Sequence, residues 1–100
     1  MAIIVAGLII AYVSFQRQTI SLSAAGKYIH ENNPSNFVEF FDNGTFHTRE
    51  NLIDYYGTWT IEGEAISFHA TVPMSSYSSG TIHGNTLVDP EGKKWIKQGN

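Results

Sequence analysis

Three features of the chain predict an all-β domain, a small antiparallel up-and-down barrel or coiled meander of about seven or eight short strands. Residues 57–70 alternate on both sides of Glu62-Gly63-Glu64: Trp59, Ile61, Ile66, Phe68 and Ala70 share one face, and Thr58, Thr60, Ser67 and His69 the other. A period of two on both arms of a glycine turn is a hairpin with one buried face. Asn43-Gly44 then sits between two further alternating runs, the strongest short-range hairpin signal. Finally, no 3.6-residue periodicity follows residue 20. Neighbouring strands joined by tight turns must curl to bury one face and remove their edges.

The N-terminal part reads differently. Residues 2–15 carry no charge and form a hydrophobic helix in this reading, about 21 Å long at about 1.5 Å per residue. That is short against a bilayer core of about 30 Å and suits a signal-peptide apolar region. Two exported readings stay open. Either the helix is an uncleaved membrane anchor bordered by Gln16-Arg17-Gln18-Thr19, or a peptidase cuts after Ser21-Leu22-Ser23. Residues 1–18 are thus assigned as anchor or signal helix, 19–25 as linker and 26–100 as the β domain. The positive-inside bias of Arg17 and Lys27 alone favours a cytoplasmic domain; the expectation adopted is a single-pass, extracytoplasmic domain at the cell membrane, or a secreted one after cleavage.

Residues 27–31 form the first strand, with Tyr28 inward, ended by Glu31-Asn32-Asn33-Pro34 because proline cannot donate to a ladder. Residues 36–41 and 45–50 flank the Asn43-Gly44 turn, with Val38, Phe40, Phe46 and Thr48 inward. Residues 51–56 are a connection or strand start carrying Tyr55 and Tyr56. Residues 72–79 read as the longest irregular segment and a mobile rim. Residues 80–84, 86–89 and 93–98 are the last strands, with Ile82, Leu87 and Trp95 inward. Asp89-Pro90-Glu91-Gly92 between the last two is a turn with proline at its first central position, its aspartate accepting N–H bonds from Gly92 or Lys93.

These residues resemble a known group. Gly26-Lys27-Tyr28, Glu31-Asn32-Asn33-Pro34, Asp42-Asn43-Gly44-Thr45-Phe46, Gly57-Thr58-Trp59, Glu62-Gly63-Glu64-Ala65-Ile66 and the run 84–95 occur in an order similar to uncharacterised prokaryotic proteins with a membrane anchor and a small lipocalin-like β-barrel. The resemblance implies fold and membrane attachment through residues 2–15. It implies no catalytic residue or cofactor, and those proteins usually carry a longer, lysine-flanked N-terminal segment.

Composition narrows function. A net charge of −3 and a pI near 5.7 give nucleic acid no electrostatic footprint. With no cysteine there is no disulfide, thiol nucleophile or zinc ribbon. The 9 carboxylates fall in turns and on outer strand positions rather than as a pair, and Ser75, Ser76, Ser78 and Ser79 lack a fixed histidine and acid. The chain therefore reads as a non-enzyme without cofactor. Three binding readings follow. Tyr55, Tyr56, Met74 and Tyr77 form a candidate rim for a protein or envelope partner, since tyrosine and methionine are enriched in contact surfaces; equally, they cover an open barrel end. A lipocalin-like barrel suggests a carrier or sensor of a small hydrophobic ligand, but Tyr28, Phe40, Phe46, Trp59, Phe68 and Trp95 compete for the interior and predict a solid core. His69 and His83 share outer parity and would hold a surface metal ion if their strands placed them opposite one another. Asn43-Gly44-Thr45 is a formal glycosylation sequon that the turn already explains.

Overall fold

Alternation in the sequence becomes a closed wall. The computed structural model describes residues 24–99, in which eight strands follow in chain order. They are β1 (Gly26–His30), β2 (Phe37–Phe40), β3 (Thr45–Glu50), β4 (Ile53–Glu62), β5 (Ala65–Val72), β6 (Ser76–His83), β7 (Thr86–Val88) and β8 (Lys94–Lys97). Each pairs antiparallel with its sequence neighbour, and β1 pairs with β8 to close the barrel. Closure removes most of the open edges that a meander of this length would otherwise expose, although β6 meets β7 only from Thr81 to His83. The predicted N-terminal helix and most of the 19–25 linker lie outside the described residues. Among the described residues, no helix is long and apolar enough to cross a membrane.

Because neighbouring strands run in opposite directions, the turns separate to two ends. Residues 41–44, 63–64 and 84–85 lie at one end with the start of β1; residues 31–36, 51–52, 73–75 and 89–93 lie at the other. The first end is plugged. Tyr28, Phe40, Phe46, Trp59 and Ile66 are fully buried, and Ile61 and Ile82 join the same cluster. Phe40 is its hub, with ring centroids 5.8 Å from Tyr28, 5.1 Å from Trp59 and 5.3 Å from Phe68. Two polar tips in the plug are satisfied: Tyr28 donates its hydroxyl to the Ala24 carbonyl over 2.8 Å, and Trp59 its indole N–H to the Phe41 carbonyl over 2.8 Å. Burial pushes the Tyr28 phenol up from its ordinary value. Ala24 is itself buried in the core, so the chain enters the barrel at its plugged end.

The hairpin at 43–44 forms as its turn residues require. Gly44 takes a φ of 90°, a left-handed conformation that L side chains avoid. Asn43 Oδ1 accepts the Thr45 N–H over 3.0 Å and its hydroxyl over 2.7 Å, so the sequon asparagine is engaged in its own turn.

Two stretches depart from the sequence expectation. Residues 72–79 are not an irregular rim: β5 continues to Val72, β6 starts at Ser76, and only 73–75 turn. The serines are strand residues because β5 offers a complete pairing partner, Ala70 to Ser76 and Phe68 to Ser78, which overrides their loop preference. Likewise Ile53 opens β4 directly after a turn at Asn51 and Leu52, both with positive φ, so residues 53–56 belong to the strand. In the β4–β5 ladder the register shifts between Tyr56 and Gly57, a β-bulge that bends the wall.

Candidate binding site

The barrel is half filled. Inward positions in β3 to β5 carry Phe46, Trp59 and Phe68, but β5 and β6 continue inward with Ala70, Ser76 and Ser78. These small side chains cannot reach across the interior. A cavity of about 340 Å³ remains at the end away from Ala24. The expectation of a solid core therefore holds for the plugged end and not for the open one. Aromatic count overestimates the filling because the rings concentrate around Phe40, leaving the β5–β6 hairpin to line the rest with small groups.

The lining divides by chemistry. Val38, Phe46, Phe68, Leu87 and Trp95 supply an apolar surface; Thr48, Tyr55, Ser76 and Ser78 supply hydroxyls; Glu50, Asp89 and Glu91 supply carboxylates. Among the described residues, no lysine or arginine lines it. A volume of this size accepts a side chain or the apolar part of a small ligand, at the lower bound of ordinary ligand pockets.

Asp89 is the fixed point of the mouth. Its Oδ1 accepts the backbone N–H groups of Glu91 and Lys93 over 3.0 and 2.9 Å, and its Oδ2 accepts the Trp95 indole N–H over 3.0 Å. The expectation that it accepts from Lys93 is met. Burial pushes the Asp89 carboxyl up, but the N–H bonds from Trp95, Lys93 and Glu91, with the charge of His30, outweigh it and hold the group below the ordinary carboxylate value. Trp95 is thereby locked against the cavity, with the His30 ring edge-on at 4.8 Å.

The expected rim residues separate. Tyr55 is half-buried, packs on the core and lines the cavity. Tyr56 lies on the outer face, its ring stacked on His47 with centroids 4.6 Å apart and planes at 6°. His47 Nε2 is 2.8 Å from Asp54 Oδ1, and Arg49 donates to both Asp54 oxygens over 2.8 and 3.2 Å. The Arg49 guanidinium foremost, then His47, holds the Asp54 carboxyl below its ordinary value. Tyr77 likewise stacks outward on His69, with centroids 4.0 Å apart. Met74 is exposed in the 73–75 turn.

The two-histidine patch does not form. In the register of β5 with β6, His69 pairs with Tyr77 rather than His83. Tyr77 and His83 stand about 20 Å apart along β6 at roughly 3.4 Å per residue. His83 Nδ1 instead lies 3.3 Å from Glu64 Oε2, and His69 Nε2 lies 2.9 Å from Ser75 Oγ. The expected opposition assumed that β6 began at Gly80; its earlier start displaces His83 to the plugged end. Among the described residues, no group of three or more His, Cys, Asp or Glu side chains is placed to hold a metal ion.

Sequence reading did not identify Ser76 and Ser78 as cavity residues. Counting back from inward Ile82 in steps of two, through Gly80, would have found both. Comparison with protein-family models, curated proteins and solved structures returns no match.

Proposed function

We propose that this chain is a non-catalytic binding module that receives an apolar group of its ligand in the open end of the barrel. The observation that carries the reading is the cavity itself: about 340 Å³, apolar within and acidic at its mouth. A pocket with an apolar body and a few polar groups at its entrance is the ordinary form of a ligand site. Tethering to the cell membrane through residues 2–15, with the barrel outside the cytoplasm, completes the reading. Its support is the uncharged run 2–15 together with the burial of Ala24 at the plugged end. In such a tethered protein the chain arrives at the closed end, leaving the mouth free to meet a protein or envelope component.

A second reading, a carrier or sensor for a small hydrophobic ligand held wholly inside, draws on the same apolar lining. One titration addresses both. Trp95 lines the cavity whereas Trp59 is buried in the plug. Emission from a Trp59→Phe variant therefore reports Trp95 alone. Saturable change on adding a medium-chain alkylamine or fatty acid is the expected result. Unchanged emission through the solubility limit of both would remove the carrier reading.

A further inference from the structure

The barrel wall has a slit, and its backbone chemistry says what fits there. β6 pairs with β5 from Ser76 to Thr81, but with β7 only from Thr81 to His83. β7 ends at Val88 and the chain turns away through Asp89 and Pro90. Among the described residues, no strand pairs with the far side of residues 76–79. The Ile82 N–H bonds to the Glu64 carbonyl over 2.8 Å, on the β5 side. Antiparallel ladders alternate, so Ser78 and Ser76 also direct their backbone groups to β5. Tyr77 and Ser79 direct theirs into the slit.

The opening reaches the cavity. Ser79, Asp89 and Pro90 line the interior cavity and also a shallow outer depression shared with Gly80 and Val88. Both surfaces meet at the position that a longer β7 would occupy.

From this juxtaposition we infer that the module's ligand is an extended peptide segment that adds a strand beside Tyr77 and Ser79 and inserts one apolar side chain into the cavity. The inference rests on the binding reading above and names its partner class. Strand addition supplies main-chain hydrogen bonds, and a pocket for alternate side chains supplies selectivity. The peptide residue opposite Ser78 shares its inward parity and meets Phe68 and Leu87 across the cavity. Glu91 and Glu50 at the mouth favour a basic residue beside that side chain, and among the described residues no lysine or arginine of the lining opposes one.

The test uses the isotope-labelled whole chain and a panel of short synthetic peptides. In these, a central leucine, isoleucine, phenylalanine or methionine alternates with threonine and is flanked by lysine. The expected result is saturable binding with slowed amide exchange at Tyr77 and Ser79 and a change in Trp95 emission. N-methylation of the peptide amides that face β6 should weaken binding about tenfold or more, while methylation of the alternate amides should not. Equal binding by both methylated forms, or binding without protection at Tyr77 and Ser79, would overturn strand addition. If no peptide in the panel binds while an alkylamine or fatty acid shifts Trp95 emission, the peptide inference falls and the cavity reading stands. If neither acts, both fall.

Discussion

The Trp95 indole N–H donates to Asp89 Oδ2 over 3.0 Å, and both residues line the cavity at the open end of the barrel. This bond joins the inner wall to the 89–93 turn at its mouth, so the position of a cavity aromatic depends on one ionised carboxylate. Replacing Asp89 by asparagine leaves the indole facing either an amide N–H or a rearranged turn. A loss of about 1–3 kcal/mol at neutral pH is expected, the usual consequence of removing a charged acceptor, and urea unfolding measures it.

The same carboxylate sets a pH dependence. Its folded value lies below the ordinary 3.8, so its contribution is fully present above that value and declines as pH falls through the lower, folded one. The stability gap between the native chain and Asp89→Asn should therefore narrow as the pH drops below about 3.8. A gap independent of pH would show that the bond's worth does not depend on ionisation.

Filling the cavity should separate binding from folding. Ser78 pairs with Phe68 in the β5–β6 ladder and lines the open space. Ser78→Phe is expected to change stability by less than about 1 kcal/mol, since there is room for the ring. It should abolish the ligand-dependent change in Trp95 emission. Denaturant unfolding and the fluorescence titration together give both readings.

The bulge predicts a severe substitution. A Cβ on Gly57 would overlap the His69 carbonyl oxygen and lie 2.8 Å from the Ala70 Cα. Both are backbone atoms of the adjoining strand and cannot swing aside. Gly57→Ala should cost about 2–3 kcal/mol, measured by urea unfolding.

Relief is expected at the open end. Leu52 holds a φ of 70° and is 80% exposed as a residue, so it has left-handed strain and little packing to offset it. Leu52→Gly should raise stability by about 1 kcal/mol. A fall in the melting temperature would show that the leucine makes contacts that outweigh its backbone strain.

Much of the barrel was legible in the residues because its grammar is local. Asn43-Gly44 and Glu62-Gly63-Glu64 mark their hairpins, and inward parity correctly assigned Tyr28, Phe40, Phe46, Trp59, Ile82, Leu87 and Trp95. Asp89 was legible too, because a turn aspartate accepts N–H bonds within its own few residues. The indole of Trp95 as its further donor was not, since that contact depends on how β7 and β8 pair. Ser76 and Ser78 were hidden for a related reason: Pro73 and the serines signal a loop locally, and only the pairing with β5 makes them strand. That same extension moved His83 away from His69 and opened the cavity. The site therefore arises where tertiary pairing overrides local preference.

The proposed binding requires an open end that is hollow and apolar enough to take up a ligand group. Xenon enters apolar cavities without needing any particular ligand chemistry, so a xenon titration followed at methyl resonances tests it directly. Saturable shifts are expected at Val38, Ala70 and Leu87, which line the cavity, with Ile61 and Ile66 in the plug unmoved. Unmoved cavity methyls, or shifts of equal size in cavity and plug, would contradict it.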